Sequence, residues 1–150
     1  MAVSEKFEPM NPAFRERVLK KAEGNVFMHH IDFHLTKVDP GEVEGELTLK
    51  NIHKQQFGRL HGGVVTSVAD IVAGFAVYTL AGSDQDVVTA EIKVTYLRPG
   101  FGEKVVARGT VIKPGKLISF AEAEIFTLSD GKLTLIAKAS TTMAMISAAQ

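Results

Sequence analysis

One stretch narrows what this chain can fold into more than any other. From Gly63 to Leu80 almost every residue is apolar or small, and the only formal charge in the run is Asp70. A helix that is apolar on all sides is one surrounded by other structure. The valines in it do not forbid a helix, because tertiary packing overrides propensity. Ala69, Ala73, Gly74 and Ala76 leave room for a sheet or a second helix to approach closely, and Gly82-Ser83-Asp84 ends the segment. A carboxylate in such surroundings is costly to bury without partners, so Asp70 asks for a reason.

The rest of the chain supplies the wrapping. Asn11-Pro12 reads as a helix start, with Asn11 as N-cap and Pro12 at the first helical position. Phe14, Val18, Leu19 and Ala22 form one apolar stripe and Gly24 ends it, which gives a short peripheral helix over about residues 11–23. A strand is expected over about Ile31 to Val38, with His29, His30 and His34 in this segment. Side chains along a strand diverge, so these histidines are expected to be ordinary, partly exposed residues, and no metal site is expected. After a Pro40-Gly41 turn, Glu42 to Lys50 alternates as a half-buried strand. Asn51 to Leu60 has neither period and reads as a loop. Strands follow over Val88–Tyr96, Glu103–Lys113, Leu117–Leu128 and Leu133–Ile146. In the first of them Val88, Ala90, Ile92, Val94 and Tyr96 form the apolar face, and Thr89, Glu91, Lys93 and Thr95 the polar one. Pro114-Gly115 and Asp130-Gly131 mark tight turns. Consecutive hairpins make the sheet largely antiparallel, and a sheet curled around one helix is an α+β solution.

Composition sets limits on partners. At 150 residues, 45% hydrophobic, the chain is expected to form a single domain with a real core. Lys+Arg and Asp+Glu are equal at 17 each, so there is no electrostatic case for nucleic acid and little repulsion against self-association. The absence of cysteine excludes a disulfide framework, a thiolate nucleophile and a Cys-ligated zinc. The polar N-terminus MAVSEKFEP has no signal-peptide core, and the longest apolar run, Ile71 to Gly82, is too short to span a bilayer. A cytoplasmic protein without a membrane partner is expected.

Two features carry chemistry. Gly62-Gly63 before the helix leaves backbone N–H groups unpaired at its positive end, a place for an anion or an oxygen that becomes negative during reaction; a sharp turn alone would also account for the two glycines. Asp70 is either a structural ion-pair partner or a base or nucleophile, with Gln55 and Thr89 as candidate companions. Asp70 lies eight residues past Gly62, which is roughly 11–12 Å along a helix axis. An acyl carbon must sit about 3 Å from both the attacking group and the oxyanion donors. If both act, they come from different subunits across a two-fold interface.

The run Gln55-x-x-Gly58-x-Leu60-His61-Gly62-Gly63, with Asp70 nine residues after His61, resembles the hotdog-fold acyl-CoA thioesterases. The similarity is closest to the phenylacetic-acid-pathway and thioesterase superfamily member 2 type. Thr95-Tyr96-Leu97-Arg98-Pro99 and Gly102-Glu103 fit the same family, and the similarity spans roughly residues 30 to 145. It implies a long central helix wrapped by a mainly antiparallel five- or six-stranded sheet, with homodimers that form the site and homotetramers built from them. It also implies hydrolysis of a fatty or aryl acyl-CoA to free acid and CoA, with no cofactor. Gly62 matches the glycine whose N–H polarises the thioester carbonyl. Asp70 matches the acid that activates water or attacks directly, and Thr89 the residue that helps hold the water. Gln55 falls where many members carry Asn near the thioester, and His61 matches the histidine that shapes the loop. Gly63, Phe57, Val64, Phe75 and Tyr78 are candidates for the substrate pocket; Arg98, Lys113 and Lys116, near turns, are candidates for CoA phosphates. Gln55 instead of Asn resembles a sister branch acting on aryl thioesters, whose acid is commonly Glu, so the acyl group stays open. A non-catalytic acyl-CoA-binding module of the same fold is the alternative.

Overall fold

The computed structural model describes residues 7–149. The N-terminal stretch read above for a signal segment falls mostly outside them. Helix α1 (Phe14–Glu23) and the short α2 (Val26–His30) precede a hairpin of β1 (His34–Asp39) and β2 (Glu42–Thr48). A 3₁₀ turn (Asn51–His53) and a loop lead into α3 (Gly62–Tyr78). Then come β3 (Gln85–Tyr96), β4 (Lys104–Lys113), β5 (Ile118–Ser129) and β6 (Lys132–Ser147). The six strands form one sheet in the order β1-β2-β4-β5-β6-β3, and every neighbouring pair is antiparallel. The Asp130-Gly131 turn has positive φ at both residues (48° and 74°), the geometry that suits a two-residue hairpin. Among the described residues no helix is long and apolar enough to cross a membrane.

The sheet curls around α3, and small residues set how close the two come. Ala69, Ala73 and Ala76 of the helix are fully buried, as are Ala107 of β4 and Ala137 of β6. The closest approach is at Gly109, where a Cβ would stand 2.3 Å from the Val72 carbonyl oxygen. The far end of the helix is locked by Thr79, whose hydroxyl donates to Ala76 O (2.6 Å) and accepts from the Gly41 N–H (2.7 Å). Helix α1 packs Phe14, Val18 and Ala22 inward. Its Arg17 guanidinium lies 4.7 Å from the Tyr78 ring centre and donates to Gly82 O and Gln85 O.

Three expectations change. Residues 26–30 are helical, not extended, because the Asn25 side chain caps α2 by accepting from the Met28 N–H (3.0 Å). His29 and His30 therefore sit on a helix, and β1 begins only at His34. Helix α1 starts at Phe14, two residues later than its Asn-Pro signal, because Asn11 caps a preceding turn by accepting from the Ala13 N–H. The most consequential change is in β3. A bulge between Thr89 and Glu91 leaves Ala90 without a partner in the ladder and inverts the alternation. Val88, expected inside, is 46% exposed on the outer face. Thr89 pairs with the buried Met143 and shares the helix-facing side with Ile92 and Val94.

Gly109→Ala is expected to cost about 3 kcal/mol, because the new methyl meets helix backbone that has no rotamer to move; chemical denaturation of the purified variant measures it.

Candidate active site

The start of α3 is anchored by His61 and Tyr96. His61 is in extended conformation (φ −69°, ψ 133°) and caps the helix with Nδ1, which accepts from the Gly63 N–H at 2.8 Å. That bond fixes the tautomer with the proton on Nε2 and uses up one of the two glycine amides. The Gly62 N–H is the first of the helix and has no acceptor among the described residues. Tyr96, at the end of β3, donates its hydroxyl proton to Gly62 O (2.8 Å) and lies 2.7 Å from the Thr66 hydroxyl. A Cβ on Gly62 would meet the Tyr96 ring at 3.3 Å to its oxygen, so glycine suits this position.

The loop before the helix closes on itself. The Gln55 N–H donates to Arg59 O and the Gly58 N–H to Gln55 O, with Gly58 at φ 77°. The Gln55 side-chain oxygen accepts from the Phe57 N–H; its –NH2 group carries the remaining hydrogen-bonding capacity. Phe57 at the loop tip is 79% exposed. The loop is pinned from below by His53, which is fully buried. Its Nδ1 accepts from the Lys50 N–H (2.9 Å) and its Nε2 donates to Ile31 O (2.7 Å). A second anchor is the Leu60 N–H to Gly100 O bond of 2.9 Å.

Two turns further along α3, Asp70 is half-buried and accepts from the Thr89 hydroxyl at 2.6 Å. The bulge brings Thr89 to this side of β3. Beside the pair opens a cleft of about 180 Å³, with Ile71, Gly74 and Phe75 on one wall and Val87 and Met143 on the other. The carboxylate thus has one hydrogen-bond donor, a cleft with apolar side walls and a polar far end beside it, and no cationic partner within ion-pairing distance among the described residues.

The sequence-derived residues therefore fall into separate places. Gly62, Gly63, His61, Val64, Gln55, Phe57 and Arg98 lie around the start of α3. Arg98 there donates to Leu135 O. Asp70 and Thr89 form the second cluster, about 12 Å further along the helix axis. Lys113 and Lys116 lie with neither. Lys116 borders a cavity of about 320 Å³ beside Val77 and Leu80, at the opposite end of α3 from Gly62. No single chain gathers Arg98, Lys113 and Lys116 into one basic patch. Sequence reasoning missed Tyr96 and His53 as builders of the site. Tyr96 carried a signal as the last residue of a strand next to an Arg-Pro break; buried His53 had none inside an aperiodic loop.

A six-stranded antiparallel sheet wrapped around one long helix is the hotdog fold. A sequence model of the Thioesterase superfamily matches residues 57–134. A putative esterase of Saccharolobus solfataricus is 31% identical over 79% of this chain and 81% of its own length. Human acyl-coenzyme A thioesterase 13 is 30% identical over 66% of this chain and 71% of its own length. Among solved structures, a thioesterase family protein from Silicibacter pomeroyi superposes with a TM-score of 0.88 at 29% identity, covering 90% of this chain and 99% of that one. The chain belongs to the thioesterase superfamily and is a thioester hydrolase.

His53→Ala is expected to destabilise the fold by about 3 kcal/mol, since it opens a cavity and strands the Lys50 N–H and the Ile31 carbonyl; thermal denaturation followed by circular dichroism reads the loss.

Proposed function

We propose that this protein hydrolyses acyl-CoA thioesters at a site shared between two copies of the chain. The observation that carries this reading is a separation. The free Gly62 N–H and the Asp70 carboxylate lie on one rigid helix about 12 Å apart, yet one thioester must touch both kinds of group at once. Two further observations support a two-fold partner. The flank of α3 carrying Gly63, Ser67, Asp70 and Gly74 is not fully covered by its own chain. Beside it runs β3, an edge strand 12 residues long with no strand on its outer side among the described residues. Unpaired edges of that length attract another strand. Pairing β3 with its counterpart covers both features together. Exposed Ile112, Ile118, Phe120 and Ile146 on the sheet face away from α3 support a second contact that takes dimers to tetramers.

In this reading Asp70 is the general base. Thr89 donates to its Oδ1 and holds the carboxylate in orientation; Oδ2 takes a proton from water as the water oxygen attacks the thioester carbon. Charge gathers on the carbonyl oxygen, where the N–H of Gly62 of the partner subunit stabilises it, a contribution of about 3 kcal/mol. The tetrahedral intermediate collapses, the C–S bond breaks and the proton passes to the CoA thiolate. The products are the free acid and CoA. His61 keeps the Gly63 N–H occupied and the loop in shape. The Gln55 –NH2 group borders the thioester, Gly63, Phe57 and Val64 line the approach, and Arg98 meets CoA on the surface side. Lys113 and Lys116 reach CoA phosphates only from another subunit.

Asp70→Asn is expected to lower kcat about a thousandfold without changing Tm; thiol release from several acyl-CoAs measures it, and an undiminished rate removes Asp70 from the mechanism. Sharing is tested separately with Gly62→Pro. Proline is tolerated at the first helical position and removes the N–H; its ring also presses on Tyr96, so Gly62→Ala, which adds the Cβ but keeps the N–H, is the control and is expected to retain activity. Gly62→Pro and Asp70→Asn are each expected to be inactive alone. Mixed dimers of Gly62→Pro with Asp70→Asn regain one intact site of two; mixed dimers that stay inactive refute the shared site.

A further inference from the structure

The cleft beside Asp70 has a defined end, to which Lys21 of α1 contributes from outside the segment matched by the family model. The cleft follows one stripe of α3, through Asp70, Ile71, Gly74, Phe75 and Tyr78. From Asp70 to Tyr78 it runs about 12 Å. The middle is apolar and open because position 74 has no side chain. A Cβ placed there finds only Met143 Cε, at 4.0 Å.

At the far end the character changes. Tyr78 is buried. Lys21 Nζ lies 5.5 Å from its ring centre and pairs with Asp86 Oδ1 at 2.5 Å, and Asn25 stands beside them. Arg17, one turn earlier on α1, ties the helix to Gly82 O and Gln85 O, at 2.9 and 3.0 Å. The end of the cleft is therefore a polar wall held in place from two sides.

We infer that this wall sets the length of acyl group the enzyme takes. The inference rests on the assignment of Asp70 to thioester hydrolysis. A cavity of about 150 Å³ with apolar walls accepts benzene, and this cleft measures about 180 Å³. It fits a single ring or a short chain. A longer alkyl chain reaches the Lys21–Asp86 pair, which is part-exposed and hydrated, and must either lay its methylenes against that polar end or turn out into water. Methylenes left in water forgo the burial that a shorter group gains in the cleft. Gly74 and the Lys21–Asp86 pair are thus specificity-determining residues: one keeps the middle open, the other closes the end. The Lys21 side of the wall belongs to a peripheral helix, so family members with the same central helix and sheet but a different N-terminal segment can take different acyl groups.

The test compares kcat/KM for acetyl-, phenylacetyl- and dodecanoyl-CoA. The wild-type enzyme is expected to favour phenylacetyl- over dodecanoyl-CoA by about tenfold or more. The double variant Lys21→Ala/Asp86→Ala is expected to move that ratio about tenfold toward dodecanoyl-CoA. Gly74→Leu acts in the opposite sense and is expected to depress phenylacetyl-CoA relative to acetyl-CoA. A wild-type preference for dodecanoyl-CoA, or an unmoved ratio in a folded double variant, overturns the inference. Should the double variant not fold, an unchanged phenylacetyl-to-acetyl ratio in Gly74→Leu overturns it instead. Loss of all three activities in Asp70→Asn leaves the hydrolytic site standing even where the ratios refuse to move. No turnover of any substrate by the wild-type enzyme overturns both readings.

Discussion

The contact on which this structure depends is backbone against backbone: α3 laid directly on β4 at Gly109. An apolar helix gains from burial on every side only if the sheet can come close enough to exclude water and leave no void. The alanines on both surfaces and the missing side chain at position 109 meet that condition. Thr79 then fastens the helix end to the β1–β2 turn through the Gly41 N–H. A helix held this tightly is a rigid ruler, and everything chemical about the molecule is measured along it.

Rigidity separates the functional groups as well as placing them. The cap at His61 and the bond from Tyr96 hold the Gly62 peptide at one end. Thr89 holds the Asp70 carboxylate two turns on. Nothing within the fold can bring the two together, so the proposed mechanism requires a site shared between two copies of the chain. The uncovered flank of α3 and the open edge of β3 lie side by side on the same margin of the molecule. The sheet's outer surface divides differently. One half carries the ion pairs Lys104–Glu46, Arg108–Glu44 and Lys138–Glu124, which keep it in water. The other half carries the isoleucines and Phe120.

The peripheral helices look like decoration in the sequence and are not. Helix α1 contributes Phe14, Val18 and Ala22 to the core, and its charged side chains bridge the end of α3 to the start of β3. Past the end of α2, Lys50 and then His34 beside Asp32 hold its carboxyl below the ordinary value, in a corner that Asp32 turns with positive φ. These contacts connect residues far apart in the chain, which is why a one-dimensional reading assigns α1 no role beyond covering the core.

The periodic segments of the fold were legible before any coordinates. The apolar run announced α3, alternation announced β2, and Asp130-Gly131 announced its hairpin, because each signal lies within a few residues of the feature it specifies. The spacing from Gln55 to Asp70 likewise carried the candidate site. Legibility failed where the decision was made between distant segments. Nothing in Val88-Thr89-Ala90 says that one residue will be squeezed out of the ladder, since the bulge exists only in the pairing of β3 with β6; yet it decides that Thr89, not Val88, faces Asp70. His53 gave no sign that its two ring nitrogens would be claimed by Lys50 and Ile31. Sequence alone determined the long helix and the long strands, and it named the candidate site residues, because those follow from local periodicity and side-chain type. Tertiary structure decided which face each residue turns and which groups meet, because register, bulges and long-range hydrogen bonds are set by the partner strand or helix and are written in no single segment.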